Sequence, residues 1–112
     1  MSWYKTAKIL TTLDYKKIVS SIFNDATHFF SESMKKGAGD PLPTAEAVVE
    51  NPVFYGQRLG LTEDDTMELI NRFAEDYTID YSGGSIAISW WKMPEQYKQR
   101  ARTYSKTLKV DI

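Results

Sequence analysis

The chain predicts an α+β fold, a small single domain whose helices cover the apolar face of an antiparallel hairpin. Three observations carry that prediction. Apolar residues recur at spacings of three and four from Tyr15 to Met34, a second capped helical pattern runs on from Thr62, and two alternating runs flank Ser82-Gly83-Gly84-Ser85. At 112 residues with 42% apolar content the chain suits one domain, 1–112, of a size that buries about two thirds of its unfolded surface.

Ile18, Val19, Ile22, Phe23, Ala26, Phe29, Phe30 and Met34 form one stripe and predict a long helix over 14–36. Asp14 is its expected N-cap, with Leu13 placed to staple against Ile18, and Lys35, Lys36 and Gly37 suit its C-terminal end. Ahead of it, Trp3, Ala7 and Leu10 form one short helical face. Two Gly and two Pro between Lys36 and Pro43 mark a loop at 36–43.

Beyond that loop Thr44 is read as the cap of a short helix, and Asn51-Pro52 as the cap and first position of a second that Gly60 ends. Thr62-Glu63-Asp64-Asp65 then opens a helix over 63–76, with Met67, Ile70, Phe73, Ala74 and Tyr77 as its buried face.

With Gly83 and Gly84 as the hairpin loop, one register pairs Tyr81 with Ile86, Ile79 with Ile88 and Tyr77 with Trp90 on an apolar face. The same register pairs Ser82 with Ser85, Asp80 with Ala87 and Thr78 with Ser89 on a small polar face. Pro94 and Glu95 start a last helix with a narrow stripe of Tyr97, Ala101 and Tyr104 and an otherwise basic surface. Leu108, Val110 and Ile112 alternate with charged residues, so 107–112 form a candidate third strand added to the two of the hairpin.

Charge is sorted along the chain. Residues 1–39 hold six Lys against three acids, 40–81 ten acids against two Arg, and 82–112 six bases against two acids. The segment balances of +3, −8 and +4 give the net −1, an acidic centre between basic ends. No cysteine is present, which excludes disulfides, thiolate metal sites and Cys nucleophiles. No apolar run approaches the ~20 residues that cross a bilayer, and a cytoplasmic protein with no membrane partner is expected.

Several constellations of polar residues are explained as well by plain solvation as by chemistry. His28, the sole histidine, lies near Asp25 and Glu32 at helical spacing, too small a set for a typical transition-metal site. Asp64, Asp65 and Glu68 could hold magnesium or do acid–base work, but capping of a helix N-terminus explains them more cheaply. Gly37-Ala38-Gly39 lacks the third glycine of a phosphate loop. Arg58-Leu59-Gly60-Leu61-Thr62 looks like the turn of a helix-turn-helix across Val53–Ile70, yet the recognition helix would push Glu63, Asp64, Asp65 and Glu68 at phosphate. No catalytic residue, metal or cofactor is assigned.

The expectation is a non-enzymatic protein-interaction module, regulator or inhibitor in type, presenting Glu63, Asp64, Asp65 and Glu68 to a basic protein partner. Trp91, turned to the side opposite Trp90, is either its aromatic anchor or folds under the helix that starts at Pro94. The alternative is nucleic-acid binding by the last helix, where Lys92, Lys98, Arg100, Arg102 and Lys106 accompany Tyr97, Tyr104 and Trp91. Acidic and basic faces of two copies could also pair in a homo-oligomer.

Overall fold

A computed structural model describes residues 11–36, 39–82 and 84–109. The expected fold class is present, helices packed on a small antiparallel sheet. In chain order come α1 (Thr12–Lys36), β1 (Glu46–Glu50), a 3-10 turn (Pro52–Phe54), α2 (Tyr55–Arg58), α3 (Glu63–Tyr77), β2 (Asp80–Ser82), β3 (Ser85–Ser89), a second 3-10 turn (Trp90–Lys92) and α4 (Glu95–Lys109). The sheet order is β1-β3-β2 with β3 central, and both pairings are antiparallel.

α1 starts two residues before its expected cap. Thr11 takes that place, its hydroxyl accepting from the Asp14 amide at 3.1 Å while Asp14 Oδ2 accepts from the Thr11 amide at 3.0 Å. This is a reciprocal capping box, so Asp14 closes the first turn rather than capping it. Leu13 does not staple to Ile18; it is 58% exposed. The stripe itself buries Ile18, Ile22, Phe23, Ala26, Phe30 and Met34, with Phe29 turned out. The proposed face on Trp3, Ala7 and Leu10 lies outside the described residues, as do Gly37 and Ala38.

Thr44 caps no helix, because residues 46–50 form a strand. Ala47 and Val49 point inward and Glu46, Val48 and Glu50 outward, a period of two that two adjacent valines favour and a helix would break. Asn51, at φ 51°, turns the chain out of the strand, and Pro52 then opens the short 3-10 and α2 pieces. Asn is among the few residues that adopt this left-handed conformation cheaply. Gly56 is buried where α2 crosses α3. An added Cβ there would lie 1.7 Å from Thr66 Oγ1, so the glycine serves close approach rather than backbone freedom.

That crossing rotates the buried face of α3. Thr66, Leu69, Ile70 and Phe73 are buried, whereas Met67 and Tyr77, expected inside, are exposed. The hairpin holds the expected register at Asp80–Ala87, Tyr81–Ile86 and Ser82–Ser85, with Gly84 at φ +82° in the turn. It is shorter than expected. Tyr77 remains in α3, Thr78 ends that helix, and Trp90 leaves the ladder in a 3-10 turn. The third strand is β1 rather than 107–112. α4 continues to Lys109, and 110–112 lie outside the described residues.

The core lies where α1 meets the inner sheet face, α3 and α4. Phe23 sits at its centre, with ring centroids 5.2 Å from Phe73, 5.1 Å from Tyr77 and 5.2 Å from Tyr97. Tyr97 lies by Ser20 and Phe23, Tyr104 stacks on His28, and Ser105 lies near Met34, so α1 and α4 run parallel. Among the described residues no buried side-chain polar atom lacks a hydrogen-bond partner. No helix of the described residues is long and apolar enough to cross a membrane.

Candidate functional site

The acidic first turn of α3 is built by its cap. Thr62 is extended, its hydroxyl accepts from the Asp65 amide at 3.1 Å, and Glu63 and Asp64 are left exposed at the positive end of the helix dipole. Glu68 is exposed one turn on, while Asp65 is half-buried. Among the described residues none of these four carboxylates forms an ion pair.

Trp91 belongs to a different place. It is 58% exposed in the 3-10 turn after β3 and lines an open hollow of about 510 Å³ with Asp76, Tyr77, Thr78 and Lys92. These residues cluster at the C-terminal end of α3. At about 1.5 Å per residue, the helix sets them some ~20 Å from Asp64. The aromatic anchor and the acidic turn therefore occupy opposite ends of one helix and do not form a single patch.

The C-terminal end of α3 is strained. Thr78 carries φ 53°, a left-handed conformation that glycine usually supplies, and a β-branched residue there is an outlier. It persists because it closes the helix. The Ile79 amide bonds the Ala74 carbonyl at 2.8 Å, the Thr78 amide bonds that of Glu75 at 3.3 Å, and the Lys92 ammonium donates to the Thr78 carbonyl. That cation also sits 5.3 Å from the centre of the Trp91 ring. Thr78→Gly is expected to raise stability by about 1 kcal/mol through relief of the left-handed strain. Chemical denaturation, with an upward shift in midpoint, checks it.

The outer face of the sheet adds acid that the sequence reading did not assign to a site. Its rows are Glu46, Val48 and Glu50 on β1, Ser85, Ala87 and Ser89 on β3, and Asp80 and Ser82 on β2. A hollow of about 150 Å³ brings Glu46 and Asp80 together with Ser89 and Lys92. The missed signal was the alternation in Glu46-Ala47-Val48-Val49-Glu50, which the choice of Thr44 as a helix cap obscured.

On α4, Arg102 is committed to acids of its own chain. Its Nε and Nη2 bond Asp40 at 3.0 and 2.9 Å and its Nη1 bonds Glu95 at 3.1 Å. The Arg102 hydrogen bonds hold the Asp40 carboxyl below the usual carboxylate range; Gln99 and then Arg102 do the same for Glu95. Lys98 lies over the buried Trp90 ring at 5.6 Å and Arg100 over the buried Tyr97 ring at 5.1 Å. Tyr104 is half-buried and stacks on His28, with centroids 5.0 Å apart. Arg100 and Lys106 are exposed. Of the aromatics considered for base stacking, Trp91 alone lies fully on the surface, and Trp91 and Lys92 precede the helix rather than line it.

His28, Asp25 and Glu32 are drawn to separate neighbours: His28 to Tyr104, Glu32 to Lys35 at 3.2 Å, and Asp25 to the Tyr55 hydroxyl. Burial, and then the bond to Asp25, push the Tyr55 hydroxyl well above its ordinary pKa. No three His, Cys, Asp or Glu residues among those described converge as a metal-ligand set. Between α1 and α2 a further open hollow of about 430 Å³ is lined by Lys16, Lys17 and Arg58 with Leu13 and Tyr55. In the two-helix arrangement at 52–77, α2 spans only four residues and α3 opens with three acids, which oppose docking on phosphate.

No protein-family model, curated protein or solved structure matches this chain.

Proposed function

We propose that the protein is a small interaction module, regulator or inhibitor in type and without catalytic chemistry of its own, that offers its acidic surface to a basic patch on another protein. One observation carries this reading, the acidic first turn of α3, where Glu63, Asp64, Asp65 and Glu68 stand within six residues and form no ion pair among the described residues. Among the described residues Arg102 holds Asp40 and Glu95, and Lys35 holds Glu32. Glu46, Glu50 and Asp80 on the outer sheet face likewise form no ion pair there. Clustered charges of one sign steer an oppositely charged partner, and the steering weakens with salt.

Reversing Asp64, Asp65 and Glu68 to Lys together is expected to leave the fold intact at a cost of about 1–2 kcal/mol, from the lost interaction with the helix dipole. It is expected to slow association with the captured partner about tenfold or more at low salt, and less at physiological salt. Circular dichroism and surface-based association kinetics read the two effects. An unchanged association rate would overturn the reading. A second copy is one such partner, its basic α4 meeting this acidic surface, and sedimentation of the protein alone reports it. Oligonucleotide binding that weakens with salt and is lost in an Arg100→Ala, Lys106→Ala variant would instead move the function to α4.

A further inference from the structure

We infer that the outer edge of β1 is a docking site for an extended segment of another protein, one carrying Lys or Arg on both sides of an apolar residue at alternate positions. The segment adds to the sheet as a fourth, antiparallel strand. The inference rests on the reading of the acidic surface as a partner-binding surface and specifies which part grips the partner, and how.

The backbone supplies the first half of the site. The Trp90 amide bonds the Ala45 carbonyl at 2.8 Å and the Asn51 amide bonds the Gly84 carbonyl at 2.8 Å. With Glu46 opposite Ser89 and Glu50 opposite Ser85, those bonds fix the alternation of the ladder. Ala45, Ala47, Val49 and Asn51 turn their amide and carbonyl groups to β3; Glu46, Val48 and Glu50 turn theirs away. Among the described residues no backbone group takes up that outer row. The opposite edge of the sheet offers far less, since β2 is three residues long and turns only the backbone of Tyr81 outward. β1 is the edge long enough to template another strand.

The side chains supply the second half. Residues whose backbone faces the edge are also those whose side chains stand on the outer sheet face, so a docked strand reads Glu46, Val48 and Glu50 with three of its own side chains directly opposite. Val48 is 47% exposed, and the carboxylates beside it form no ion pair among the described residues. Opposite charges across a strand pair stabilise it and like charges destabilise it. A cation, an apolar residue and a second cation at alternate positions complement this row. The neighbouring row of Ser85, Ala87 and Ser89 is low, leaving room for long cationic side chains to lie across it towards Asp80.

The same row disfavours a second copy of the chain. Antiparallel pairing of two β1 edges about Val48 sets Glu46 of each copy against Glu50 of the other, two like-charge pairs directly opposite each other. The two glutamates thus reject the chain itself and select a basic strand, one device serving both attraction and exclusion.

The test uses the full chain and a fluorescent peptide with Lys-Thr-Val-Thr-Lys at its centre, titrated by anisotropy at low and physiological salt. Two control peptides accompany it, one with the same residues in scrambled order and one N-methylated at its central Val. That amide is the one aimed at the Val48 carbonyl when the two valines pair. The ordered peptide is expected to bind, and N-methylation to weaken it about tenfold, since it removes a ladder bond and adds a clash. N-methylation of either Thr, whose amide faces away, is expected to change little. The Glu46→Lys, Glu50→Lys variant is expected to lose the Lys peptide and gain its Glu-Thr-Val-Thr-Glu counterpart.

Binding of all three basic peptides alike, weakened by the Asp64, Asp65 and Glu68 reversals but not by those at Glu46 and Glu50, would overturn the strand site and leave the acidic-surface reading standing. Failure of every basic peptide to bind, at either salt, would count against both. A dimer of the protein alone that Val48→Lys dissolves would assign the edge to a second copy and overturn the inference.

Discussion

Replacing Phe23 by alanine is expected to cost about 3–5 kcal/mol, the range for truncating a buried phenylalanine without collapse of the space left behind. Its side chain is fully buried on α1, and its ring touches Phe73 and Tyr77 of α3 and Tyr97 of α4. Three helices are therefore joined through one ring. Edge-to-face contacts such as those with Phe73 and Tyr77 add about 0.5–1.5 kcal/mol each beyond area burial. Domains of this size are stable by about 5–15 kcal/mol, so the variant is expected to be partly or wholly unfolded at 37 °C. Urea unfolding read by circular dichroism and tryptophan fluorescence measures it; a cost below about 1.5 kcal/mol would mean that the three-helix junction relaxes freely.

Gly56→Ala is the second large effect, and its sign runs against helix propensity. An alanine in place of glycine ordinarily gains up to about 1 kcal/mol in a helix. Here the new methyl would lie 1.7 Å from Thr66 Oγ1, 2.8 Å from its Cβ and 2.9 Å from its Cγ2, so α2 must move off α3. Overpacking of that kind costs about 1–3 kcal/mol, and we expect the variant near the upper end. Thr66 cannot swing aside cheaply, because its hydroxyl donates to the Thr62 carbonyl at 2.8 Å within the wall of α3. Thr66→Ala alone should cost about 1 kcal/mol for that lost bond. In the double variant the two costs should fall short of their sum by about 1 kcal/mol or more, because removing the hydroxyl and methyl makes room for the added Cβ. Strict additivity would disprove the contact.

The difference between what the sequence conveyed and what it hid has physical causes. Helix periodicity is a local signal, and the stripe from Ile18 to Met34 was readable because its apolar residues share one face, whereas Thr27 and Ser31, buried beside it, carry no apolar signal. The hairpin register was readable for a similar reason, since one pairing sorted polar from apolar residues and a slip by one would have reversed every side chain. β1 was missed because five residues carry too little period to outweigh a capping residue placed before them, and its partner β3 lies some 40 positions further on. The burial of Leu69 and Thr66 in place of Met67 was set by the glycine crossing at Gly56, a contact between helices that neither helix announces alone. The charges of α3 were legible, whereas sequence left Trp91 equally placed outward or under the helix from Pro94; that the two sit at opposite ends of one helix depends on where the 3-10 turn at Trp90 deposits the chain.

The parallel course of α1 and α4 has a consequence for how the protein comes into being. α1 leaves the ribosome before the elements that cover its apolar stripe, through Tyr97 and Ala101 of α4. Until those residues emerge, Phe23, Phe30 and Met34 have no settled shelter, and the nascent chain offers a sticky amphipathic surface to whatever it meets. Such a chain gains little from folding piecemeal. The Tyr97 hydroxyl donates to Ser20 across 77 positions, so the core closes only once α4 has been made.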